Sequence, residues 1–102
     1  MDVAVDIRKS SPNFGHFESN ILTSKNKNML YVPEGFAHGY LVLSDEAIIN
    51  YKCTNIYYPD DQHGILWNDP NIEINWNNEN PILSDKDKIL PILSKQPYLP
   101  EF

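Results

Sequence analysis

Apolar and polar residues alternate with a period of two along much of the chain, so extended strands rather than helices are expected. Near the start, VAVDIR places Val3, Val5 and Ile7 on one face and Ala4, Asp6 and Arg8 on the other. SSPN (10–13) reads as a turn, and FGHFESNILTS resumes an extended, mixed pattern up to the polar loop KNKN (25–28). MLYVP predicts a short strand ended by Pro33, which has no N–H to give to a ladder. Gly35 supplies turn freedom, and FAHGYLVLS runs on as a strand. SDE (44–46) reads as a tight hairpin connection into AIINYKCTNIYY; PDDQHG is loop, and ILWND and IEINW predict two further short strands.

After Trp76 the texture changes. NNENP is loop, and LSDKDKIL predicts one or two helical turns with Ser84 as N-cap, its hydroxyl accepting from a free amide of the first turn. Pro91, Pro97 and Pro100 make irregular, packed chain the expectation for the end. Several short β-runs separated by turns predict an all-β sandwich or barrel. Residues 1–80 would form the barrel part and 81–102 a short irregular or helical tail packed on it. Asp6 and His38, polar on otherwise apolar strands, predict a barrel interior that is partly a pocket.

Composition narrows the partners. The 102 residues allow one domain, and 14 acidic against 8 basic side chains give a net charge of -6. That balance argues against a nucleic-acid backbone or an anionic membrane surface. A small anionic substrate stays compatible, because a few local cations outweigh net charge inside a pocket. The lone Cys53 cannot form an internal disulfide, which fits a reducing compartment. With no long apolar run and no basic-then-apolar leader, the expected location is the cytoplasm.

Few residues are candidates for chemistry. His38, in PEGFAH, is either a hydrogen-bonded histidine at a strand edge or a donor that stabilises charge at a barrel mouth. No His-x-His pair occurs, and His16 and His63 lack ligand-like spacing, so no metal is expected. Tyr51 shares a strand face with Ile49 and Cys53; it is a core tyrosine or, near a cation, a general acid. Lys52 points to the opposite face and is no obvious activator. Tyr57 and Tyr58 could stack on a planar ring or a sugar, or simply pack at the surface. Asp85 and Asp87 form a solvated charged face or supply a carboxylate that orients a histidine. Asp6 and Arg8 line the pocket or face solvent. Nothing reads as a glycine-rich phosphate loop or a nucleophile elbow.

PEGFAH fits the Pro-x-Gly-x-x-His turn of the second cupin motif. More specifically, VAVDIRKSSPNFG, YVPEGFAHGYLVLSDEA, YKCTNIYYP, GILWNDP and PILSDKDK resemble consecutive blocks of the dTDP-4-dehydrorhamnose 3,5-epimerase family. They stand in the family's order and cover residues 2 to about 90. The resemblance implies a partial cupin-type jelly-roll barrel, usually homodimeric, that works without metal or cofactor in nucleotide-sugar biosynthesis. It implies proton removal beside a ketone, inverting C3 and C5 of dTDP-4-dehydro-6-deoxyglucose to give dTDP-4-dehydro-L-rhamnose. By resemblance Tyr51 is the acid and Asp87 the carboxylate paired with the base. His38 lies near the nucleotide diphosphate, Tyr57 is an aromatic at the pocket, and Asp6 and Arg8 belong to a shared substrate-binding block.

The family's basic histidine lies in an Arg-Gly-x-His block upstream of the matched segment, with a lysine for the enolate. Neither His16 nor His63 matches it. Three forms are therefore expected: a C-terminal piece, a chain that pairs with a complementing N-terminal half, or a non-catalytic sugar-nucleotide-binding or assembly module. A single-centre epimerase of a related 4-keto sugar nucleotide is a further alternative.

Overall fold

A computed structural model describes residues 1–102. Three strands form one antiparallel sheet: β1 (Asp2–Asp6), β2 (Phe17–Asn20) and β3 (Phe36–Tyr40), in the order β2-β1-β3. Alternation in DVAVD explains the central place of β1. Val3 and Val5 are buried against Ile72 and Leu93, with Phe17, Ala37 and Trp76 packed around them. Trp76 lies over Gly39 on the same face, and its indole Nε1 donates to the Trp67 carbonyl at 2.7 Å, so the half-buried ring leaves no orphaned N–H.

The C-terminal part closes this core. Buried Asp69 accepts the Leu93 amide at 2.6 Å and the Asn71 amide at 2.8 Å, tying the segment after α1 (Asp85–Lys88) to the turn that carries Ile72. The Ser84 cap is present as expected: its hydroxyl accepts the Asp87 amide at 3.1 Å. The tail beyond is irregular apart from one 3-10 turn at Leu93–Lys95.

Several expected strands form no ladder. MLYVP pairs with nothing, and residues 42–57, which hold AIINYKCTNIYY except its last tyrosine, make no backbone–backbone hydrogen bond, so SDE closes no hairpin. Alternation marks a strand only where a neighbour accepts its amides, and no segment of this chain lies alongside these. The β3 ladder stops where β1 does, with Met1 and Leu41 exchanging hydrogen bonds at 2.8 Å. ILWND and the start of IEINW fold instead as successive turns, and the rest of IEINW is irregular: Asp69 donates to the Leu66 carbonyl, and Ile72 and Glu73 to the Asp69 carbonyl. The Asp69 side chain favours that course because a short carboxylate captures nearby amides in a turn.

Candidate functional site

The sheet has two unlike faces. Opposite the core, register brings Asp2, Ala4 and Asp6 of β1 beside Glu18 and Asn20 of β2 and beside Phe36, His38 and Tyr40 of β3. An open cavity of about 500 Å³ lies along this polar face, walled by Asp6, His16, Glu18, Asn20, Tyr31 and Phe36 among others. Of the Ala4, Asp6 and Arg8 face of VAVDIR, Ala4 and Asp6 line this cavity.

Asp6 is the most constrained group there. It is buried, and Arg8 donates to its carboxylate from the backbone amide at 3.0 Å, from Nε at 2.9 Å and from Nη2 at 2.7 Å. Ser11 adds its hydroxyl at 2.6 Å. The Arg8 guanidinium holds the Asp6 carboxyl far below the ordinary carboxylate range, overriding desolvation, which pushes the other way; Ser11 adds to the lowering. Asp6 raises Arg8 in return. Asp6 therefore stays ionised and saturated with donors, and Arg8 reaches the cavity through it.

On β3, His38 turns its Nε2 to the carboxylate of Asp2. The two are diagonal neighbours, since Ala4 faces His38 and Asp2 faces Tyr40. The imidazole is partly exposed and tilted against the Tyr40 ring at 6.3 Å. Sequence reasoning missed Asp2. Its signal is same-face parity with Asp6 on β1, legible only once the β1–β3 register is known.

The remaining expected residues lie apart from this pair. Tyr51 is 75 % exposed and has no hydrogen-bond partner, so its place among core residues of a strand is not realised. The Tyr57 hydroxyl accepts from Gln62 Nε2 at 2.5 Å, and Gln62 Oε1 accepts from Lys86 of α1. Gln62 thereby ties Tyr57 to the turn that carries Asp87, whose exposed carboxylate has no partner. Asp6 and Arg8 are brought together; Tyr51, Tyr57 and Asp87 share no hydrogen bond with them or with His38. No three His, Cys, Asp or Glu residues converge as metal ligands, and no helix is long and apolar enough to cross a membrane.

Comparison with known proteins gives the chain a context. Residues 1–95 match the family model described as dTDP-4-dehydrorhamnose 3,5-epimerase. A dTDP-4-dehydrorhamnose 3,5-epimerase of Shigella flexneri is 57 % identical over 86 residues, covering 84 % of this chain and 48 % of the relative. Among solved structures, the dTDP-6-deoxy-D-glucose-3,5-epimerase of Legionella pneumophila, in complex with dTDP-4-keto-L-rhamnose, matches with a TM-score of 0.90 at 39 % identity; the match covers 99 % of this chain and 55 % of that one. A 3′-monoepimerase of Streptomyces bikiniensis, in complex with dTDP-quinovose, matches with a TM-score of 0.85 at 34 % identity, over 91 % of this chain and 48 % of that one. The chain spans about half the length of the curated relatives it matches.

Proposed function

Because the chain belongs to the dTDP-4-dehydrorhamnose 3,5-epimerase family and carries part of its cupin-type, all-β barrel, we propose that it supplies the C-terminal part of a nucleotide-sugar epimerase. The reaction is inversion of C3 and C5 of dTDP-4-dehydro-6-deoxyglucose, giving dTDP-4-dehydro-L-rhamnose. The C4 ketone acidifies the neighbouring C–H bonds, so a base on one face and an acid on the other suffice. The observation that carries this reading is the match of nearly the whole chain to an epimerase bound to dTDP-4-keto-L-rhamnose.

In this reading Tyr51 is the acid that returns the proton, and Asp87 steadies the imidazolium of the base. His38, oriented by Asp2, meets the diphosphate; Tyr57 packs on the ligand; Asp6 and Arg8 form the substrate-binding block, the saturated Asp6 carboxylate holding the Arg8 guanidinium in place beside the cavity. The base itself comes from a segment other than residues 1–102, since no histidine here matches the family's base. The apolar, unpaired stretch at 42–57 is where completing strands would add, from a complementing N-terminal half within a homodimeric enzyme. The exposed free thiol of Cys53 fits a cytoplasmic setting.

A second reading has a specific support: the similarity to a 3′-monoepimerase favours inversion at one centre only. A non-catalytic sugar-nucleotide-binding module is the remaining alternative. NMR titration of the chain with dTDP separates the family reading from an unrelated role. Saturable shifts of the His38 imidazole are expected, and a spectrum indifferent to the nucleotide would sink it.

A further inference from the structure

The segment 98–102 runs back across the end of β1. Lys9 donates its amide to the Pro100 carbonyl at 2.7 Å, and Phe102 donates to the Lys9 carbonyl at 3.1 Å. The bridge is parallel, and the Lys9 ammonium pairs with Glu101 at 3.4 Å. This course brings the Phe102 ring onto Arg8, with its centroid 4.9 Å from the guanidinium carbon; Phe36 of β3 contacts the same carbon at 4.8 Å.

Gly35 leaves room for the arrangement. A Cβ there would stand 2.6 Å from Arg8 Cγ and 2.7 Å from Cδ, and its φ of +84° is one that other residues rarely adopt. The stem of Arg8 is therefore threaded past a glycine, and its head is flanked by two rings and aimed at both Asp6 oxygens. An arginine held this way loses little further freedom on gripping a carboxylate.

We propose that Phe102 is a positioning residue: stacked on Arg8, it holds the guanidinium in its two-point grip on Asp6 and thereby fixes the buried carboxylate of the cavity wall. The groups facing Asp6 are few. Arg8 and Ser11 contact it directly, while His16, Glu18 and Tyr31 line the same cavity; Glu101, on the tail, is spent on Lys9. Within the tail it is the Phe102 ring that meets Arg8, while the Glu101 carboxylate meets Lys9. Its bearing on a bound sugar rests on the functional reading above, but the latch is a property of the chain alone.

The test compares Phe102→Leu, Phe102→Tyr and Glu101→Gln in the full chain without ligand. Phe102 is largely exposed, so all three variants are expected to fold. NMR reads the solvent exchange of the Arg8 Nε–H and the acid titration of the Asp6 carboxyl carbon. Phe102→Leu should speed exchange about two- to five-fold, the span of an exposed cation–π contact, and move the Asp6 titration to higher pH. Phe102→Tyr, which keeps a π-face, should leave both near the parent values. Unchanged readouts in Phe102→Leu would overturn the proposal. So would equal loosening by Glu101→Gln, which would assign the effect to the bridge and not the ring. Because no nucleotide is present, the latch and the epimerase reading can fail separately.

Discussion

His38 of β3 and Asp2 of β1 meet across one antiparallel pair, imidazole Nε2 to carboxylate, two residues off the direct register. This diagonal contact gives the histidine of PEGFAH a fixed orientation on the polar face of the sheet. It also makes Asp2, inconspicuous in the sequence, the residue on which that orientation depends.

Asp2→Asn should accordingly affect binding more than folding. The pair is partly exposed, so its loss should cost at most about 1 kcal/mol of stability. Affinity for dTDP should fall about five-fold, the equivalent of about 1 kcal/mol. Chemical denaturation and nucleotide titration by calorimetry check the two effects. An unaltered affinity would remove Asp2 from the binding reading.

Acid should weaken the fold through Asp6. Its carboxyl is held far below its ordinary value of 3.8 by Arg8, so its contribution is complete above that value and drains away as pH falls below it. Denaturation midpoints measured from pH 6 down to about 2 should therefore fall at the acid end. Asp6→Asn should be less stable at neutral pH and should flatten that decline. Coincident curves for the two proteins would mean that the Asp6–Arg8 pair contributes nothing to stability.

Leu93 tests whether the tail is part of the core. It is 4 % exposed and packs with Val3, Val5 and Ile72, so Leu93→Ala should cost about 2–5 kcal/mol. Ile82→Ala, at a fully exposed site, should change stability by less than about 0.5 kcal/mol. Urea unfolding of the two variants side by side checks the contrast.

Tyr51→Phe should separate chemistry from structure. The phenol is exposed and makes no hydrogen bond, so its removal should leave stability within about 0.5 kcal/mol. In an active assembly, loss of a general acid should lower turnover by about 10²–10⁴-fold. Turnover equal to the parent would take Tyr51 out of the mechanism.

Much of the fold that local chemistry dictates was legible in the sequence. VAVDIR and FAHGYLVLS do hold strands, ending at Asp6 and Tyr40, and Ser84 caps the turn it precedes because that cap needs only neighbouring residues. AIINYKCTNIYY alternates just as well yet forms no strand, since a ladder depends on a neighbour that sequence periodicity does not name. Asp69 turns the chain where ILWND meets IEINW, a local cue that the apolar spacing of both segments masks. For the site, the Asp6–Arg8 pairing follows from proximity in the chain. The Asp2–His38 and Arg8–Phe102 contacts join residues far apart in sequence and became visible only with register and tail in place.

Solvent exchange decides whether this chain supplies the acid side of a 3,5-epimerase. The chain would be mixed with the N-terminal half of the Shigella flexneri relative and incubated in D2O with dTDP-4-dehydro-6-deoxyglucose, with each polypeptide alone as control. Deuterium should enter both C3 and C5 in the mixture and in neither control. No exchange in the mixture despite bound nucleotide, or equal exchange by the chain alone, would contradict the account.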